Sequence, residues 1–402
     1  MKSMRRGLAV GALGGALVLM AVTGCSAGGT KDKGGDSGAA AAKIAAPAKP
    51  TVSAAVVSIE PANGTKDVKP AGALKVSVAS GKLTTVKVTG PDGKEVPGAV
   101  AADGLSWLPT GTLDVSTDYK VNAQAVDAQG VATAAESGFT TLTPAKDAGA
   151  HDNITDNETY GVGMIVSLTF QRPVKDKDAV VKGITFEASD GTVVKGHWFG
   201  DQRVDFRPEK YWTPGTKVTV KYRLKSVEVA PGVYGGVDHD EPFTIGRSQV
   251  STADINTHRM TVVRDGQQID SVPFTAGKAG FDTWNGSMVV EAMEGTTRMT
   301  SNGVTSPGSG DEYDLVVPHA IRLTDSGTYV HGNYWSSAIG NSNASHGCIG
   351  VQDTQGGSDS SRAGKFYQSS MVGDVVTVVN SKGDTVSADN GLGGWNVAWG
   401  SW

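Results

Sequence analysis

The residue types with most to offer chemically are concentrated in one stretch. His331-Gly332-Asn333-Tyr334-Trp335 precedes Ser345-His346-Gly347-Cys348-Ile349-Gly350-Val351. A thiol is a poor nucleophile until deprotonated, and at an ordinary pKa only a few per cent is thiolate at neutral pH. A nearby imidazole can take that proton and later return one to a leaving amine. His331 follows a β-rich run, so its ring can be held at a strand end. His346 is two residues from Cys348; an extended chain would put both side chains on one face, but a tight turn at Gly347 need not. The residues alone leave the base open between the two histidines. Gly347 permits a turn that aims successive backbone N–H groups at one point, as an oxyanion hole requires. Three other readings compete: a buried core cysteine, a zinc site of His331, His346 and Cys348 without an evident carboxylate second layer, and a non-enzymatic binding module. A reactive thiol in metal-free protein separates the enzyme from the others.

The elements that must position these groups read as strands. Met260–Val263, a turn at Asp265-Gly266 and Ile269–Phe274 form a predicted hairpin. Gly286–Met293, Ala320–Leu323, Thr328–Val330 and Gly373–Val379 add strands, and a helix is predicted over Asp359–Ser369. Ser301–Tyr313, with its glycines and Pro307, reads as a long mobile loop. Upstream, Val52–Ile59, Leu74–Val78, Thr84–Thr89 and Tyr119–Val126 are β-rich runs separated by turn clusters. A weak repeat at an offset of 99 residues lays Leu105, Trp107 and Pro109 over Val204, Phe206 and Pro208, and Tyr119 over Val218. Two tandem β-sandwiches are therefore expected. His197, His239 and nearby aspartates could be imagined as a metal site but read as solvated loop residues.

The strand-His-Gly and Ser-His-Gly-Cys arrangement resembles the L,D-transpeptidase (YkuD-type) family, which crosslinks peptidoglycan through a catalytic cysteine. The resemblance implies a mainly β chain: two immunoglobulin-like sandwiches, then a β-rich catalytic domain with one short helix. It makes Cys348 the nucleophile, His331 the base, and the Gly332 carbonyl the group that orients the ring, a main-chain role in which glycine serves as well as serine. It assigns oxyanion N–H groups to His346, Gly347 and Cys348. Tyr313, Ser326 and Gly327 are implied at the substrate, with Asn333, Trp335, Ser345 and Gly350 lining it. The implied reaction takes a tetrapeptide stem as donor, releases its terminal D-amino acid, and needs no metal or other cofactor. Carbapenems are implied as covalent inhibitors. Two departures concern specificity or packing: Gly350 stands where many members have Arg or Asn, and Thr283-Trp284-Asn285-Gly286 where Thr-Pro-x-Gly is common. With Gly350 at the ligand, Gly350→Asn is expected to strengthen carbapenem binding.

The chain starts with Lys2, Arg5 and Arg6, an uncharged apolar run over Gly7–Val22, and Val22-Thr23-Gly24-Cys25. This resembles a bacterial lipoprotein leader, with Cys25 acylated after cleavage. It implies a protein lipid-anchored to the outer face of the cell membrane. Residues 26–50, rich in Gly, Ala, Lys and Pro, read as a flexible tether. The resulting plan is leader 1–24, tether 25–50, sandwiches 51–147 and 148–247, catalytic domain 248–380 and a Trp-rich tail 381–402. Trp395, Trp399 and Trp402 would be an aggregation hazard if exposed, so the tail is expected to dock on its own chain, bracing the catalytic domain against the second sandwich. The formal charge of −5 becomes −8 once three basic residues leave with the leader, leaving 33 basic against 41 acidic. No basic block follows, which disfavours nucleic acid as a partner.

Overall fold

A computed structural model describes residues 52–402 apart from 237, 303 and 306–309; the leader, Cys25 and the tether lie outside them. The chain is mostly β. Period-2 burial shows why: in Asp118–Asp127, Tyr119, Val121, Ala123 and Ala125 are buried while their neighbours are more open, the signature of a strand with one face on a core. Strands between Val56 and Thr141 form two four-stranded sheets around one core, which includes Trp107, Tyr119 and Phe139. Strands between Ala150 and Ile245 form two further four-stranded sheets around Phe170, Phe206, Trp212 and Phe243.

The C-terminal unit is one nine-stranded sheet with a single α-helix. Its strands are β1 (Gln249–Asp254), β2 (Arg259–Arg264), β3 (Gln267–Thr275), β4 (Gly286–Val289), β5 (Ala292–Thr300), β6 (Asp314–Arg322), β7 (Tyr329–Asn333), β8 (Ile349–Gln352) and β9 (Val375–Val379). They lie in the order β4-β9-β1-β2-β3-β8-β7-β6-β5. The hairpin β2–β3 turns at Asp265 and Gly266, both with positive φ, as a two-residue turn matched to strand twist requires. The run Gly286–Met293, read as one strand, is in fact two. Val290 N–H bonds to the Asp374 carbonyl and Glu291 N–H to that of Arg322, so two residues carry the chain between strands at opposite edges of the sheet. The sheet must therefore curl until its edges meet. Apolarity alone could not reveal this break, because Val290 is as buried as the strand residues before it. The helix Arg362–Ser369 is N-capped by the Ser361 hydroxyl, which accepts from Gly364 N–H at 2.8 Å, and it buries Phe366 in the core of this unit.

Backbone hydrogen bonds from Gly161 to Val372 and from Gly163 to Gly373 join the second sandwich to the nine-stranded unit. The tail reinforces that joint. Trp395 Nε1 donates to the Gly163 carbonyl at 2.7 Å and Trp402 Nε1 to that of Lys195 at 2.9 Å. The buried Arg207 guanidinium faces the rings of Trp395, Trp399 and Trp402 at 4.8, 5.5 and 4.2 Å, and donates to the Val397 carbonyl at 2.6 Å.

Candidate active site

The parallel pair β7–β8 sets the geometry. His331 lies opposite Gly350 in the register. Cys348 lies in the bend just ahead of β8, two residues before Gly350. Cys348 and His331 share a cavity of about 470 Å³ whose walls include Met299, Tyr313, Leu315, Val317 and Trp335.

His331 is buried, and its Nδ1 is 3.0 Å from the Gly332 carbonyl oxygen. Only an Nδ1–H can make that bond, so the tautomer is set and Nε2 keeps its lone pair. Burial lowers the His331 pKa, with the Gly332 contact opposing. Burial pushes the Cys348 thiol up to about 11. Both shifts favour the neutral thiol and the neutral imidazole. Cys348 Sγ lies 3.6 Å from the Gly327 carbonyl oxygen.

Gly332 has no room for a side chain: a Cβ there would meet Asp353 Oδ2 at 2.3 Å and Pro318 Cγ at 2.8 Å. Glycine fills the main-chain role here, and the surroundings are packed against it. Asp353 is itself held by His319, whose Nδ1 is 2.6 Å from Oδ2.

Gly350 is also corrected. It is buried and outside the cavity lining. A Cβ there would meet Asn333 Nδ2 at 2.8 Å and Thr275 Cγ2 at 3.2 Å, and Gly350 has no positive φ. Asn333 lines the cavity, and its Oδ1 accepts from the backbone N–H groups of Trp335 and Ser336 at 3.2 and 3.0 Å. It thereby holds the turn that presents Trp335, whose ring stacks at 5.9 Å on that of His331.

The turn ahead of Cys348 is stapled by Ser345. Its hydroxyl donates to the Cys348 carbonyl at 2.6 Å and accepts from Gly347 N–H at 3.2 Å. Ser345 lines the cavity, but its hydroxyl is committed to the turn, and Gly347 N–H is withdrawn from the expected oxyanion set. Among the described residues the N–H groups of His346 and Cys348 carry no hydrogen bond. Gly347 takes φ +118°, which only glycine adopts readily.

His346 also lines this cavity. Its ring lies 4.7 Å from Phe281 and 4.9 Å from Tyr313, and its Nε2 is 3.7 Å from Asp311 Oδ1. Ser326 lies outside the cavity lining; Asn390 of the tail bonds both its N–H and its hydroxyl at 2.9 Å. Gly327 contributes its carbonyl beside the thiol. Thr283, Trp284 and Asn285 are structural: Thr283 Oγ1 accepts from Gly277 N–H, and Asn285 bonds the backbone of Ser381 and Gly383. His331, His346 and Cys348 do not converge as metal ligands; among the described residues only Asp152, His239 and Glu241 do. His197 instead stacks on Trp402 at 4.9 Å.

A model of the L,D-transpeptidase catalytic domain matches residues 248–378, and one of the bacterial Ig domain matches residues 65–228, across both sandwiches. L,D-transpeptidase 2 of Mycobacterium tuberculosis (strain CDC 1551 / Oshkosh) is 33% identical over 82% of this chain and 79% of its own length. The chain belongs to the L,D-transpeptidase family. L,D-transpeptidase 5 of Mycobacterium tuberculosis (strain H37Rv) is 31% identical over 86% of this chain and 76% of its own. The solved L,D-transpeptidase LdtMt1 in complex with imipenem superposes with TM-score 0.50 at 29% identity, over 58% of this chain and all but 1% of that one. In this L,D-transpeptidase the catalytic-domain match contains every residue of the cavity described above.

Proposed function

We propose that this L,D-transpeptidase crosslinks peptidoglycan by two-step acyl transfer through Cys348. The observation that carries the reading is that Cys348 and His331 line one cavity, with the Nδ1–H of His331 engaged by Gly332 and its Nε2 left as acceptor. Sγ attacks the carbonyl of the donor's L-centre–D-residue bond as Nε2 takes the thiol proton. With a thiol at about 11 and a depressed imidazole, proton transfer and attack are coupled rather than preceded by a standing thiolate. The His346 and Cys348 N–H groups receive the oxyanion. Nε2–H then protonates the leaving D-amino acid, and a thioester remains. An amine of a neighbouring stem attacks the thioester, gives its proton to Nε2, and Cys348 leaves to regain that proton. The apolar wall of Met299, Leu315 and Val317 suits aliphatic parts of the stem, and Tyr313 and Trp335 flank it.

Intact-mass measurement on protein incubated with a defined tetrapeptide tests this. The donor mass less one D-amino acid should appear on the native chain and be absent from Cys348→Ala; a persistent adduct in that variant overturns the assignment. Imipenem should form an adduct at the same sulfur. The lipoprotein-like run to Cys25 supports anchoring on the outer face of the membrane, and Cys25→Ala should release the protein from the membrane fraction.

A further inference from the structure

The second sandwich holds a cluster that acyl transfer does not use. His239 and Glu241 are two apart on the strand Asp238–Ile245 and so share a face, and His239 lies opposite Tyr222 in the register. Asp152 reaches the same point from the other sheet, at the end of the strand Ala150–Asp152. One ligand atom from each of the three lies within 4.8 Å of the others, with His239 Nε2 and Glu241 Oε2 3.2 Å apart.

An independent feature points to a missing ligand. Tyr222 is fully buried, its ring stacks on His239 at 4.6 Å, and its hydroxyl makes no hydrogen bond of ordinary length, with the Asp152 carboxylate as its looser neighbour. The charges that this hydroxyl feels are Asp152 and Glu241, so it is aimed into the cluster. Two carboxylates, Asp152 and Glu241, thus face a single imidazole. Neighbouring cations are committed elsewhere: Arg223 pairs with Asp240 and Lys221 with Glu187.

We propose that Asp152, His239 and Glu241 form a binding site for a divalent transition-metal ion, zinc by its ligand set. One imidazole with two carboxylates is a borderline donor set that suits zinc, whereas calcium and magnesium prefer oxygen alone. At zinc–ligand bonds of about 2.0 Å, tetrahedral ligands are roughly 3.3 Å apart, which the His239–Glu241 spacing already meets; Asp152 has only to draw in. Three protein ligands leave one position for water, and the Tyr222 hydroxyl is placed to bond a group held there. His239 is partly open to solvent, which leaves an entry path. The ion would join the two sheets of the sandwich, with Asp152 on one and His239 and Glu241 on the other.

The test uses the full chain in a Cys348→Ala background, which removes the only described thiol as a competing zinc ligand. Chelator-treated protein is titrated with ZnCl₂ by calorimetry and melted with and without the ion. One equivalent should bind and raise the melting temperature. Asp152→Asn and His239→Ala should each weaken binding by about tenfold or more; if His239→Ala does not fold, His239→Gln carries the comparison. CaCl₂ should neither bind comparably nor shift melting. Absence of zinc binding in the Cys348→Ala protein, unchanged affinity in folded His239 and Asp152 variants, or calcium binding as tight as zinc overturns the proposal.

Discussion

Asn333 occupies the space that a side chain at position 350 would need, its Nδ2 only 2.8 Å from where a Gly350 Cβ would stand. Asn333 in turn holds the turn that carries Trp335 over His331. Overpacking a filled site typically costs ~1–3 kcal/mol. Gly350→Asn is therefore expected to slow acylation by imipenem about tenfold or more, with lowered melting temperature. Stopped-flow acylation across inhibitor concentration checks this, and tighter initial binding in the variant would show that the side chain reaches the cavity after all.

The two histidines should separate in kinetics. His331→Ala is expected to lower acyl-enzyme formation by about 10²–10⁴-fold, the span of general-base catalysis. His346→Ala should cost much less, because His346 offers its backbone N–H while its ring packs on Phe281 and Tyr313. Rates at equal folding, verified by circular dichroism, decide it; a larger loss in His346→Ala would reverse the roles.

Thiol reactivity should climb with pH. A thiol at about 11 is roughly one part in ten thousand ionised at pH 7, and each pH unit multiplies that about tenfold. Iodoacetamide labelling of Cys348 in the free enzyme should rise at that slope from pH 7 to 9. A plateau beginning near pH 6 would instead reveal a standing thiolate–imidazolium pair.

Gly332→Ser should impair the enzyme even though the family role of position 332 is main-chain. The new Cβ would collide with Asp353 Oδ2 and must move either that carboxylate or the carbonyl that orients His331. Acylation is expected to fall about tenfold, within the 1–3 kcal/mol that overpacking costs. A wild-type rate would show that Asp353 yields freely.

Deleting residues 391–402 removes three indole rings from Arg207 and the Trp395 bond to Gly163. A desolvated cation–π contact is worth ~2 kcal/mol, and at roughly 2–4 °C per kcal/mol the melting temperature should drop by about 4–8 °C. Differential scanning calorimetry measures this; unchanged melting would show that the tail contributes nothing to the joint.

Local chemistry made much of this protein readable from its residues alone. The period-2 runs, the Asp265-Gly266 hairpin turn and the Ser-His-Gly-Cys run each depend on neighbours a few positions apart, so strands, turn and family motif were all legible in the chain. Only the tertiary structure decided what depends on segments far apart. The parallel register of β7 with β8 sets His331 opposite Gly350, two residues past Cys348, because pairing aligns whole strands whatever the sequence distance. The contacts of Asp353 with Gly332 and of Asn333 with Gly350 decide which glycines tolerate a side chain. The split at Val290 and Glu291 follows from curling the sheet, which no single segment encodes. Asp152 meets His239 and Glu241 only because two sheets pack face to face, and sheet packing is a property of the assembled core.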